Sequence, residues 1–168
     1  VYSFFVTYAN IDEWEPDGSP GESASLLDRW ILARLNQVVA RVSYCLENYD
    51  AYGATMMVEP FLDDLTNWYV RRSRRRFWKS ERDADKNAAY ATLYRVLTTL
   101  CRLLAPIMPF VTEAMYQNLV RSVDPDALES VHHADWPQAD RALVDEDLLA
   151  RMSLARQMVA LGHSARNS

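Results

Sequence analysis

The segment NWYVRRSRRRFW, residues 67–78, sets five arginines among four aromatic residues, Trp68, Tyr69, Phe77 and Trp78. A guanidinium fork pairs with phosphate oxygens in bidentate fashion, and its plane stacks on rings and bases. Aromatic faces take unpaired bases at about 1–3 kcal/mol each, the means by which single-stranded RNA loops are read. Residues 71–82 carry seven basic side chains against Glu81 alone, a net of +6 on a chain whose formal charge is −5. Segregation of this kind bears on partners rather than on fold. The chemistry open to the strip is recognition of a polyanion. The competing reading is a solvated helix face whose charges are met by Asp63, Asp64, Glu81, Asp83 and Asp85.

Other chemistries find little material. With four glycines the chain has no glycine-rich phosphate loop. His132 and His133 are adjacent, so they cannot share a helix face as metal ligands, and no Cys or His stands at zinc spacing around them. His163 is isolated. Neither Asp63 with Asp64 nor the acids of DEDLL (145–149) has a nucleophile or base nearby; the latter suit the first turn of a helix, where the dipole favours negative charge. The sequence therefore reads as non-catalytic, with no catalytic residues and no metal site. Cys45 and Cys101, in apolar helical settings, read as buried free thiols, which fits a reducing, cytoplasmic setting. No run has the apolar length of a membrane span, and VYSFFVTYA lacks the basic leader and cleavage site of a signal peptide. Val1 at the start and the helix-like HSARNS at the end read as a piece cut from a larger chain.

The strip must be held by the elements around it. At 168 residues and 49% hydrophobic, the chain can build one compact domain. Residues 1–11 read as a short apolar helix tail, followed by a loop marked by Pro16, Gly18, Pro20 and Gly21. Ser23 or Ser25 can cap a long amphipathic helix in which Leu27, Trp30 or Ile31, Leu35, Val38, Val42, Leu46 and Tyr49 recur at the helical period. A second pattern begins after Asp50, with Pro60 expected to kink or split it. Further helices are expected over 87–105, from Pro109 to about 120, and over 146–165, the last with Leu148, Met152, Ala155, Val159 and Gly162 on one face. Between them lies an irregular stretch with a strand-like piece at 130–132. Five helices with short connections and no strand alternation predict an all-α bundle.

Phe61, Leu65 and Trp68 lead, at the same spacing, to Arg72, then Arg75 or Arg76, then Lys79. The stripe that is apolar upstream thus turns basic downstream, whereas a helix lying on a core keeps its inward stripe apolar. The expectation is that the downstream half projects beyond the bundle or faces a groove whose other wall lies elsewhere.

The blocks LLDRWILARLNQVVARV, FLDDLTNWYVRRSRRRFW, YATLYRVLTTLCRLLAPIMPFVTEAMYQNLV and ESVHHADWP, in that order, resemble the helical anticodon-binding domain of the isoleucyl-tRNA synthetases, class I enzymes. The first and third are shared broadly with valyl relatives. The arginine block discriminates, and is similar to the isoleucyl branch of eukaryotes, archaea and some bacteria. The resemblance covers nearly the whole chain, with 1–22 as the segment leading in from a catalytic domain and 23–168 as a helical anticodon-binding domain of the class Ia type.

The resemblance implies a module that holds the anticodon arm of isoleucine tRNA, with the catalytic domain of the same parent chain as a second partner, no membrane, and a monomeric parent. The HIGH and KMSKS signatures are absent here, so no active site or cofactor is expected in this piece. ATP and magnesium would serve the parent, and any zinc would sit in its C-terminal elements. The parent would activate isoleucine with ATP and edit mischarged valine, because a pocket judging one methylene gains only ~1–3 kcal/mol. On that resemblance Arg71, Arg72, Arg75, Arg76 and Lys79 are candidates for phosphate or base contact, with Trp68 and Trp78 as stacking or packing platforms. Analogy with the methionyl enzyme adds Tyr8 and Asn10. Arg29 and Arg34 are inner-face contacts or partners of Asp28 and nearby Glu residues. The alternatives are the valyl enzyme's equivalent domain, or a helical scaffold whose basic helix docks on protein.

Overall fold

Amphipathic helices joined by short connections bury their apolar faces against one another, with sequence neighbours usually antiparallel. In a computed structural model describing residues 1–16 and 25–167, six continuous helical rods do so. The first is α1 (Tyr2–Ile11) and the second α2 (Leu26–Glu47). The third runs as α3 (Ala51–Asp63), a π-helical stretch (Asp64–Val70) and α4 (Arg71–Trp78). Next come α5 (Ala84–Leu104), then α6 (Pro109–Tyr116) extended by a π turn (Gln117–Arg121), and α7 (Glu146–Asn167). No strand occurs among the described residues. The expected all-α bundle is the fold found; the five helices read from periodicity are joined by the 1–11 segment, which packs as a helix on α5 and brings Phe5 and Ala9 into the shared core.

Local chemistry explains the boundaries. Asp50 caps α3 by accepting from the Gly53 amide at 2.8 Å, and Asp83 caps α5 by accepting from the Lys86 amide at 2.8 Å. A Cβ at position 53 would fall 2.1 Å from the Asp50 carboxylate, so the glycine makes room for that cap. Tyr49 (φ 58°) takes the left-handed turn that ends α2, a conformation costing a non-glycine residue roughly 1–2 kcal/mol. Pro109 opens α6 in its first turn, as expected. Gly18, Pro20, Gly21 and the Ser23 cap lie outside the described residues. Ser25 occupies the N-cap position of α2.

Three expectations about the helices and their connections are corrected. The chain does not split at Pro60, since α3 runs through it to Asp63, and the departure from α geometry comes in the stretch after it. The piece at 130–132 is no strand: Val131–His133 form a single 3₁₀ turn, held because the Glu113 carboxylate accepts from the Ser130 hydroxyl (2.8 Å) and the Val131 amide (3.0 Å). On α7 the packed side chains are Leu148, Leu149, Met152 and Arg156, whereas Ala155 and Val159 are exposed.

α5 lies deep in the bundle, burying Ala89, Leu93, Val96 and Leu103 completely. Trp30 and Ile31 of α2, with Phe61 and Tyr69 of the third rod, fill the other side of the core. Cys45 and Cys101 are buried free thiols, as expected, and burial pushes the Cys101 thiol up to about 12.

Candidate nucleic-acid interface

A π turn advances one residue more per turn than an α turn, so the helix beyond it is rotated by about one residue's angle, roughly 100°. An unbroken α period extrapolated through residues 64–70 places Arg72, Arg75 or Arg76 and Lys79 in line with Phe61 and Leu65. In the structure the inward line is Phe61, Leu65, Tyr69, Ser73 and Phe77, all buried. The widened turn also buries the adjacent pairs Asp64–Leu65 and Tyr69–Val70. The arginines therefore flank the core stripe and do not continue it, which corrects the expectation of a stripe turning from apolar to basic. Phe77 anchors α4 between Phe4 of α1 (5.2 Å, edge-on) and Tyr90 of α5 (4.9 Å, edge-on).

This rotation sorts the basic residues into two groups. Arg71, Arg74, Arg75 and Trp78 share the outward face of α4 at helical spacing, and Trp78 is 55% exposed. None of the three arginines makes an ion pair or hydrogen bond among the described residues. Arg72, beside them, is exposed and lays its guanidinium 3.7 Å above the Trp68 ring. Trp68 itself is half-buried and donates its indole N–H toward Met152 Sδ of α7 at 3.3 Å. One face of Trp68 is thus a platform for Arg72, and the open ring of the region is Trp78.

The other group is committed internally. Arg76 forks onto the buried Asp28 carboxylate at 2.7 and 2.8 Å and also pairs with Asp85 at 2.9 Å. Tyr69 donates its hydroxyl to the same Asp28 at 2.8 Å. Burial pushes the Tyr69 phenol well above its usual range, with Asp28 adding to it. For Arg76 burial opposes the charge, and the Asp28 hydrogen bonds and charge outweigh it, so the guanidinium is held above its ordinary value. Lys79 binds Asp83 (2.5 Å) and Asp85 (3.1 Å), and the Asp83 hydrogen bond leads in raising the Lys79 ammonium. Asp83 and Asp85 thus do meet basic residues, as the solvated-face reading expected, and among the described residues their ion-pair partners are Lys79 and Arg76.

Arg29 pairs with Asp145 (2.9 Å) at the start of α7, and Arg34 with Asp64 (2.9 Å), rather than either with Asp28. Asp64, buried, also holds Arg156 of α7, which reaches Asp63 at 3.4 Å. Tyr8 lies against Phe4 (4.8 Å) and Asn10 is exposed; no hydrogen bond, ion pair or ring contact brings either to an arginine of the strip.

Between the third rod and α7 lies an open cleft of about 660 Å³, lined by Asn67, Trp68, Arg71, Arg72, Arg156 and His163 among others. Two residues of this region escaped the sequence reading. Arg74 was legible from the spacing 71, 74, 75, 78, once the rotation is known. Arg156 lies more than eighty residues from Arg71 and had no local signal. Among the described residues no group of three His, Cys, Asp or Glu side chains could hold a metal, and no helix is long and apolar enough to cross a membrane.

An outward arginine face on a helical bundle is suited to a nucleic-acid backbone. Residues 28–168 match the model of the anticodon-binding domain of tRNA ligases. The chain belongs to that family. It is also similar over nearly its whole length to isoleucine–tRNA ligases. That of Dehalococcoides mccartyi is 57% identical over 169 residues, 99% of this chain and 17% of the relative. That of Thermus thermophilus is 51% identical over 170 residues, 99% and 16% respectively, and that of Clostridium novyi 48% over 168 residues, again 99% and 16%. The chain thus spans about a sixth of the length of the curated relatives it matches, and the matched portion is the anticodon-binding domain.

Proposed function

We propose that this domain holds the anticodon arm of isoleucine tRNA on behalf of an isoleucine–tRNA ligase, whose ATP-dependent chemistry resides in other domains of a cytoplasmic, monomeric parent. The observation that carries the reading is the outward face of α4, where Arg71, Arg74 and Arg75 have no ion pair or hydrogen bond among the described residues, beside the exposed Trp78. Arg72, braced on Trp68, extends that face toward the α7 cleft. The free guanidinia take phosphates and Trp78 offers a ring to an unstacked base. Arg76 and Lys79 shape the helix that presents them. The identity to isoleucine–tRNA ligases favours the isoleucyl over the valyl assignment.

The test is binding of isoleucine tRNA to this domain as a function of salt. Each neutralised phosphate contributes about 0.7–0.9 to the slope of log K against log salt, so affinity should fall steeply as salt rises. Arg72→Glu with Arg75→Glu should abolish binding while far-UV circular dichroism is unchanged, because neither side chain is bonded into the core. Equal binding by wild type and double variant would transfer the strip to docking on the rest of the parent chain.

A further inference from the structure

A second basic feature lies away from the strip. Six arginines are half-buried: Arg34, Arg76, Arg95, Arg102, Arg121 and Arg156. Four have acceptors inside the chain, namely Asp64 and Gln37 for Arg34, Asp28 for Arg76, the Pro125 and Ala127 carbonyls for Arg121, and Asp63 with Asp64 for Arg156. Arg95 and Arg102 have none among the described residues. Each guanidinium offers five donors that no carboxylate or carbonyl among the described residues takes, and an oxyanion would accept them in bidentate fashion.

Both line one cleft of about 410 Å³ between α5, the middle of α2 and residues 135–138. They stand seven residues apart on α5, about 10.5 Å along its axis on one face. Asn36 and Gln138 add amide groups to the lining, and Thr98 lies between the arginines. The Thr98 hydroxyl is spent on the Tyr94 carbonyl (2.9 Å), so the charged donors are the two guanidinia. The one carboxylate in the lining, Asp135, is exposed and pairs with neither arginine. The walls are fixed: Trp136 donates to Ser43 at 2.7 Å, and the Asp140 amide to Asn36 at 2.7 Å, which straps the 135–140 segment onto α2.

We propose that the Arg95–Arg102 cleft is a second anion site that takes a backbone phosphodiester of the bound RNA, separate from the α4 face. The inference rests on the tRNA-binding reading and adds a subsite to it. The site takes oxyanions, so inorganic phosphate should shift the Nε–Hε resonances of Arg95 and Arg102 in wild-type protein. For tRNA, Arg95→Gln with Arg102→Gln should weaken binding several-fold at low salt and lower the salt slope by about 0.7–0.9, in addition to the effect of the α4 variants. Neither side chain is bonded to another described residue, so the thermal midpoint should not move.

If the Gln pair leaves both affinity and slope unchanged while Arg72→Glu with Arg75→Glu abolishes binding, the cleft proposal is overturned and the α4 reading stands. If neither pair matters, both are overturned. Loss of the phosphate response without any change for tRNA would make the cleft a site for free anions and would also overturn the proposal. So would loss of polyglutamate binding alone, which would assign the cleft to acidic protein. If the Gln pair fails to fold, Arg95→Lys with Arg102→Lys carries the test. That pair keeps charge but loses the bidentate fork, so affinity should drop with the slope unchanged, and undiminished affinity overturns the proposal.

Discussion

Asp28→Ala tests whether the placement of α4 depends on one buried carboxylate. Asp28 is fully buried and accepts from Arg76 Nη1 (2.7 Å), Arg76 Nη2 (2.8 Å) and the Tyr69 hydroxyl (2.8 Å). Removing it leaves the Arg76 guanidinium, whose side chain is only 14% exposed, with Asp85 as its remaining carboxylate partner (2.9 Å), and strands a wholly buried phenol. Breaking one side of a buried ion pair costs about 3–5 kcal/mol, and the orphaned hydroxyl, at about 1–3 kcal/mol, overlaps with that figure because both share the same acceptor. The expected loss is therefore about 4 kcal/mol. With a urea m-value of about 2 kcal/mol per molar, the midpoint falls by about 2 M. In a thermal melt the same loss lowers Tm by about 8–16 °C.

The internal control is Asp145→Ala, which removes the exposed Arg29–Asp145 pair and the acceptor for the Leu148 amide (3.0 Å) at the start of α7, at an expected cost of about 1–2 kcal/mol. Both variants are compared by urea titration monitored at 222 nm. Asp28→Asn, which keeps an acceptor and the shape while discarding the charge, should fall between them. An Asp28→Ala variant within 1 kcal/mol of Asp145→Ala would refute the argument that this carboxylate ties α4 to α2.

The ionisable groups give two further expected outcomes. Burial alone would raise the Asp12 carboxyl, but hydrogen bonds from Lys86 and Tyr90 hold it below its ordinary 3.8; its contribution is thus present above that value and lost as pH falls through the depressed one. Urea midpoints of wild type should therefore drop more steeply below about pH 4 than those of Asp12→Asn, which should already be weakened at pH 7 because the buried Lys86 loses its partner at 2.6 Å; parallel acid limbs would contradict this. Both cysteines should resist a thiol reagent at pH 8 in native protein and react fully in denaturant, since each is buried and the Cys101 thiol is pushed up to about 12; rapid native labelling of Cys101 would overturn that placement.

Much of the architecture could be read before any coordinates. The helix that begins after Asp50, the proline opening α6 and the recurrence of Leu35, Val38 and Val42 are local signals, because helix ends and apolar period are properties of a few consecutive residues. The free thiols were legible from their apolar surroundings. The split expected at Pro60 misled because a proline signal reports a missing donor, not whether the rod ends there. The Ser130–His132 piece misled because a distant carboxylate, Glu113, fixes its turn.

The arginine strip divides the two kinds of information most clearly. Its composition, its charge contrast and its location on a helix were determined by the sequence alone, since they depend on residue type and the 3.6 period. Which arginines are free was decided only in three dimensions. The π stretch at Asp64–Val70 turns α4 by about one residue, an angular change no periodic extrapolation contains. Asp28, forty-eight positions from Arg76, then claims that arginine and leaves Arg71, Arg74 and Arg75 facing outward. A charge's partner is set by proximity after packing, and packing brings together residues that the chain keeps far apart.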